Sequence, residues 1–279
     1  MSGRRLLVFG LGYSAGRLAA RLDAEGWVVM GTTRDGRDGS LRFDDAAAVR
    51  SALAAASHVL ASIPPDEAAG DPVLAQYGDG LAGKWLGYLS STGVYGDAEG
   101  GWVDETAPTG TGRRSARAAA DSAWLERGAH VFRLPGIYGP GRSPLDRVRA
   151  GTAHRTDADN LFSRIHVDDI VSGVIAGFDA PPGAYNLTDD LPVSPNAVTE
   201  YAAALLGMPV PPVRPVEALP RMARGFYAER RLVANGKAKR VLGWTPAYPD
   251  YRAGLRAVSA TTSPAPASAA PPAASGDQR

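Results

Sequence analysis

The sequence predicts an α/β fold in which a doubly wound parallel sheet is followed by a smaller C-terminal lobe. Three observations predict it. Runs suited to strands, at residues 6–9, 26–34, 41–43, 57–62, 85–96 and 129–134, are separated by stretches with helical spacing, the alternation that builds parallel sheets covered by helices. The first run breaks into the glycine turn Gly10-Leu11-Gly12-Tyr13-Ser14-Ala15 and then into a helix over residues 14–25, with Ala15, Leu18, Ala19 and Leu22 on one face. The fourth run ends at Ser62-Ile63-Pro64 and the fifth runs into the hydroxyl residues Ser90-Ser91-Thr92; in a doubly wound sheet such strand ends line the ligand crevice.

The glycine turn has the spacing G-x-G-x-x-A. Gly10 lets the chain turn sharply, Gly12 has no side chain to hold a pyrophosphate off the backbone, and Ala15 is small enough for the helix to pack on the strand. Around Tyr13 and Ser14 the helix N-terminus offers unpaired amides and a positive dipole end to phosphates. This is a Rossmann-type dinucleotide fingerprint. After the second strand, where an acidic residue would hydrogen-bond a ribose 2′-hydroxyl, the chain reads Thr33-Arg34. A guanidinium suits a 2′-phosphate, so NADP is expected over NAD, with Asp35 as a ribose partner if the loop turns differently. A solvated loop charge is the plain alternative for Arg34. Ser62, Ile63 and Pro64 line the same crevice, and Pro135 turns over the nicotinamide after the sixth strand. Asp44 is expected to cap the alanine-rich helix that ends at Ala56, with an adenine edge as the alternative partner. Residues 66–84 hold at most one irregular helix, Ser194 caps a helix to Leu206, and Asn235 caps a later one.

Thirty basic against 29 acidic residues leave a formal charge of +1, so no global field recruits nucleic acid or a membrane surface. With no cysteine there is no disulfide framework and no thiolate nucleophile, and cytoplasmic residence is compatible with that. No His or carboxylate grouping has metal-ligand spacing, so no metal is expected. Arg4-Arg5 ahead of an apolar run imitates a signal peptide, but the run is short and no cleavage site follows. No segment approaches membrane-spanning length. The expected division is a nucleotide-binding core over residues 1–140, a mixed region over 141–260 that returns strands to the core and forms a substrate lobe, and an Ala/Pro/Ser tail over 261–279 too poor in large apolar residues to order.

Four blocks in order, Gly10-Leu11-Gly12, Ser90-Ser91-Thr92-Gly93-Val94-Tyr95-Gly96, Arg133-Leu134-Pro135-Gly136-Ile137-Tyr138-Gly139-Pro140-Gly141 and Arg164-Ile165-His166-Val167-Asp168-Asp169-Ile170, resemble the extended short-chain dehydrogenases/reductases, which include NAD(P)-dependent epimerases and dehydratases acting on nucleotide sugars. The resemblance reaches to about residue 258. It implies that Ser91 stands at the family's catalytic Ser or Thr, that Tyr95 and Tyr138 serve packing, and that His166 fixes a loop. It also implies a Tyr-x-x-x-Lys pair opening the next helix. This chain departs there: matching Ala120-Asp121 to the family's usual Ala-Glu puts Arg113 at the tyrosine and Arg117 at the lysine, one helical turn apart. Arg117 is able to donate to a ribose. Arg113 stays protonated and is a poor proton shuttle, suited instead to an oxyanion or an anionic substrate.

In the substrate lobe Arg142 and Arg164 are the arginines expected to hold a phosphate or carboxylate. The expected activity is that of an NADP(H)-linked oxidoreductase or epimerase of the atypical branch, acting on a small polar or anionic carbonyl or hydroxyl compound. The alternative is a coenzyme-binding sensor or regulator that has lost the chemistry. A small molecule is the expected partner, with a second copy of the chain the one macromolecular partner entertained.

Overall fold

The structure, a computed structural model, describes residues 4–262 of the chain, without the side chains of residues 222 and 262. The first half alternates strand and helix: β1 Arg5–Phe9, α1 Tyr13–Ala24, β2 Val28–Thr33, β3 Leu41–Arg42, α2 Ala46–Ala55, β4 His58–Ala61, α3 Pro72–Tyr77, β5 Trp85–Ser91, β6 Trp102–Val103, α4 Ser115–Glu126 and β7 His130–Leu134. Then follow β8 Gly136–Tyr138, α5 Pro144–Arg149, β9 Arg164–His166, α6 Val167–Ala176, β10 Gly183–Asn186, α7 Pro195–Leu205, α8 Arg221–Tyr227, β11 Leu232–Val233, α9 Gly236–Leu242 and α10 Tyr251–Thr262.

Seven strands form one parallel sheet in the order β10-β7-β5-β4-β1-β2-β3. The order reverses between β1 and β4, and that switch point is where a doubly wound sheet opens its crevice. Residues of β1 supply both faces. Leu6 and Val8 meet Ala15, Leu18 and Leu22 of α1 and Ile170 and Val174 of α6. Leu7 and Phe9 meet Leu53 of α2, Tyr77 of α3 and Trp124 of α4. Strands apolar on both sides are what a sheet sandwiched between helices requires. A separate core of Tyr138, Leu145, Val148, Val198, Tyr251 and Leu255 joins α5, α7 and α10 beside the two-stranded β8–β9 sheet.

One buried polar network crosses the main sheet. Asp121 of α4, fully buried, takes Arg133 of β7 in a two-pronged pair, Nη2 at 2.7 Å and Nε at 3.1 Å, and accepts from Ser90 Oγ at 2.6 Å. Arg133 Nη1 donates to Tyr95 Oη at 2.9 Å, and Tyr95 donates to Asn186 Oδ1 of β10 at 2.7 Å. The carboxylate and hydrogen bonds hold the Arg133 guanidinium firmly charged despite its burial.

Local chemistry corrects several expectations. Asp45, one residue later than expected, caps α2 through the amide of Ala48, because Asp44 is drawn into an ion pair with Arg42 at 2.8 Å. The fifth strand stops at Ser91, where Ser91 Oγ accepts the Gly93 amide and the chain tightens into a single turn over Thr92–Tyr95. Residues 66–84 hold the short helix α3, capped by Asp71. Asn235 precedes α9, but its side chain donates to Thr188 O and Asp190 instead of capping. The last helix runs through Thr262, two residues into the expected tail, whose remaining residues lie outside those described. No helix among the described residues is long and apolar enough to cross a membrane.

Because removing one partner of a buried pair leaves the other charge uncompensated, Arg133→Met is expected to cost about 3–5 kcal/mol of folding stability. Urea unfolding followed by tryptophan fluorescence measures it; a loss under about 1 kcal/mol would show that the network is dispensable.

Candidate active site

The turn after β1 is built for close approach. Gly10 has a positive φ of 91°, and a Cβ there would stand 2.8 Å from Ile63 Cγ1. Its amide donates to Thr32 Oγ1 at 3.1 Å, and the Leu11 amide to Thr32 O at 2.9 Å, so β2 clamps the turn. Gly12 precedes α1 with no capping side chain, and a Cβ on it would meet nothing within 4 Å. The first amides of α1, at Tyr13, Ser14 and Ala15, have no intrahelical acceptors by helix geometry. Ala15 is fully buried on the strand and Ser14 is nearly so. Tyr13 turns elsewhere: its hydroxyl donates to Pro140 O at 3.0 Å, and Arg142 lies over its ring. At the far end of β2, Thr33 Oγ1 is committed to Ser40 and the Gly36 amide, and Asp35 lies 3.7 Å from Arg37. Arg34 is exposed and has no hydrogen bond or ion pair among the described residues. Ser62 joins the turn through its amide, 2.8 Å from Phe9 O, with half-buried Ile63 and exposed Pro64 beyond it.

At the carboxyl end of β5 the arginines do not sit where counting along a helix put them. Arg113 lies ahead of α4, which begins at Ser115, so Arg113 and Arg117 do not share a helix face. The cause is Glu229, which accepts the Arg113 amide at 3.0 Å and draws its guanidinium to 3.5 Å, with the ring of Phe226 beneath. Gly112 permits this by packing against Gly96, where a Cβ would come within 2.5 Å of the Gly96 Cα. Arg114 takes the place beside Ser91. A Cβ on Gly93 would fall 2.6 Å from Arg114 Cδ and 3.3 Å from Ser91 Oγ, so the missing side chain makes room for that guanidinium. Burial, then the charges of Arg113 and Arg117, pull Arg114 below the usual arginine range. Arg117 Nη1 donates to Tyr88 Oη at 2.9 Å, under the sheet end. Arg231 adds a fourth guanidinium, 3.2 Å from Glu229.

The tyrosines nearby are committed elsewhere. Tyr88 is fully buried and its phenol is pushed up to about 12 by that burial. Tyr95, also pushed up to about 12, is held by Arg133 and Asn186. His166 sits at the start of α6 with Nδ1 accepting the Asp168 amide at 3.2 Å, and burial pulls its ring down to about 4.

Arg142 and Arg164 converge, 22 positions apart in sequence, on a cavity of about 450 Å³ next to the loop that follows Pro135. Ser91, Arg114 and Arg117 do not line it. Arg164 reaches in from β9 with Nη1 on the carbonyls of Phe162 and Val193, at 3.0 and 2.8 Å, and burial pulls it down to about 10. Beside it, Asp189 is buried with neither carboxylate oxygen in hydrogen-bonding geometry, and desolvation raises it to about 8. Arg114, Tyr88, Glu229 and Phe226 were not signalled by any motif; the double arginine 113–114 was the one available hint.

No family model matches the chain. Protein YeeZ of Escherichia coli is 29% identical over 241 residues, 76% of this chain and 87% of its own. A 3-diazoavenalumate denitrifying reductase of Streptomyces is 32% identical over 45% of either chain. The human epimerase family protein SDR39U1, solved with NADPH, superposes with a TM-score of 0.71 at 18% identity, over 91% of this chain and 98% of its own. Sheet order and glycine turn thus give the chain the fold seen in the NAD(P)-dependent epimerases and dehydratases. Within it, the chain belongs to the family of a functionally unknown conserved protein from Silicibacter pomeroyi, 41% identical over 92% of this chain and 99% of that one, with a TM-score of 0.82.

The raised Asp189 sets a pH dependence. Between about pH 4 and pH 8 the native state keeps a proton that the unfolded state has released, so this group lowers stability progressively as pH rises through that window and not further above it. Asp189→Asn is therefore expected to raise the melting temperature at pH 9 and leave it nearly unchanged at pH 4, as read by differential scanning fluorimetry.

Proposed function

We propose that the protein is an NADP(H)-linked oxidoreductase or epimerase acting on a small polar or anionic carbonyl or hydroxyl compound. The observation that carries this is Ser91 beside Arg114, with Arg117 on the adjoining helix, at the carboxyl end of β5 on the crevice side of the sheet. The glycine turn fits a dinucleotide: Gly12 leaves its Cβ position open, and the start of α1 carries the donors and dipole a pyrophosphate needs. Gly10, Gly12, Tyr13, Ser14 and Ala15 would seat the pyrophosphate, Ser62, Ile63, Pro64 and Pro135 would wall the crevice, and Arg34, with Thr33 shaping its loop, would take a 2′-phosphate. A bound nicotinamide supplies hydride transfer at its ring.

The chain's own residues do the rest. Ser91 donates to the reacting oxygen. Arg114, beside it, stabilises the negative charge that develops there, a role preorganised cations fill well away from bulk water. Arg117, held by Tyr88, orients the nicotinamide ribose. Arg113 assists one step removed, by holding Glu229 away from Arg114. No neighbouring tyrosine replaces the family's acid, so the proton comes from water. Arg142 and Arg164 bind the substrate from the lobe side. The Streptomyces relative's reductase name and the NADPH of the human structure support redox chemistry and the phosphorylated coenzyme. The expected setting is the cytoplasm, with a small molecule as partner.

The absent Tyr-x-x-x-Lys pair favours a second reading, a sensor that binds coenzyme without turnover. Fluorescence titration is expected to give NADPH at least about tenfold tighter than NADH, and Arg34→Ala to erase the difference; absence of binding by either coenzyme would overturn both readings. With NADPH bound, Ser91→Ala and Arg114→Ala are each expected to lower carbonyl reduction about 100-fold at unchanged coenzyme affinity. A wild type that turns over nothing in a broad carbonyl panel, yet separates NADPH from NADP, is the sensor.

A further inference from the structure

We propose that the cavity between α5, α7, α10 and β8 takes the acidic end of the substrate, and that the substrate is a small organic acid with an apolar body. This rests on the proposed function, because it treats the cavity as the far compartment of the same site. Two features tie it there. Its wall begins at Gly136 and Ile137, directly after Pro135, and Arg142 at its mouth lies over the ring of Tyr13 in the glycine turn.

The cavity's lining combines three cations, Arg142, Arg147 and Arg164, with the apolar Ile137, Val198 and Leu255. Tyr138 also lines it, but its hydroxyl is turned into α10 against Gly254. Arg164 forms no ion pair among the described residues; its Nη1 spends itself on two carbonyls. Asp189 stands nearby, where desolvation raises it against the pull of the Arg164 charge. Asp146, the carboxylate at the rim, is taken by Ser143 in the cap of α5. A carboxylate facing Arg164 gives that guanidinium the partner it lacks, while an apolar body covers Val198 and Leu255. A sugar against that apolar wall would leave hydroxyls unpaired, which sets the cavity apart from one for a sugar.

Isothermal titration of the full chain, loaded with NADPH, tests this with three probes: benzoate, benzamide and phenyl phosphate. Benzoate is expected to bind at millimolar affinity or better, with neutral benzamide at least tenfold weaker. Arg142→Gln and Arg147→Gln are each expected to weaken benzoate about five- to tenfold, with the thermal melt as the check on folding; Arg164→Met is expected to abolish its binding if the variant folds. Benzamide binding as well as benzoate, or Arg147→Gln binding benzoate unchanged, overturns the proposal. Phenyl phosphate binding more tightly than benzoate overturns the carboxylate assignment. NADPH binding without benzoate binding removes the cavity's role and leaves the proposed function standing, whereas failure of NADPH to bind removes that function itself.

Discussion

The Asp121–Arg133 pair is the constraint on which the site end of the molecule depends. Two charges removed from water are tolerated only when their remaining donors and acceptors are met, and here Ser90, Tyr95 and Asn186 meet them. Each of those partners belongs to a different part of the fold. Satisfying the pair therefore fixes α4 against β5 and β7, fixes the turn after Ser91, and seats β10 at the sheet edge. Ser91 follows Ser90 directly, and Arg117 lies one helical turn before Asp121. Ser91 and Arg117 are thus positioned by neighbours locked in the interior.

Around that frame the charge is unbalanced by design of the sequence. Glu229 is shared between Arg113 and Arg231, whereas Arg114 has no carboxylate within ion-pair distance among the described residues and Arg117 is held by Tyr88. Where the extended short-chain fold ordinarily sets a titrating phenol against an ammonium, this chain sets permanent cations against a hydroxyl. Such an arrangement holds negative charge well and moves protons poorly.

What was legible in the sequence is what backbone geometry dictates. Gly10, Gly12 and Ala15 announce the turn because few other residues fit there, and the strand ends that line the crevice follow from the alternating pattern. Ser91 stood out by its block, and Arg142 and Arg164 each by their place in the lobe; only the structure shows that the two arginines meet at one cavity. The illegible part is set by contacts distant in sequence. Counting back from Ala120-Asp121 assumes that the helix extends to residue 113, but Glu229 pulls Arg113 off it, and nothing near residue 113 records that. The one-residue error at Asp44 is the same kind of miss: both aspartates suit a cap, and the competing Arg42 decides.

Tyr13 stands in the glycine turn at the start of α1, yet its hydroxyl grips Pro140 and its ring lies beneath Arg142, which lines the neighbouring cavity. One side chain thus bridges the turn and the lobe, and any displacement of its ring also moves the guanidinium stacked upon it.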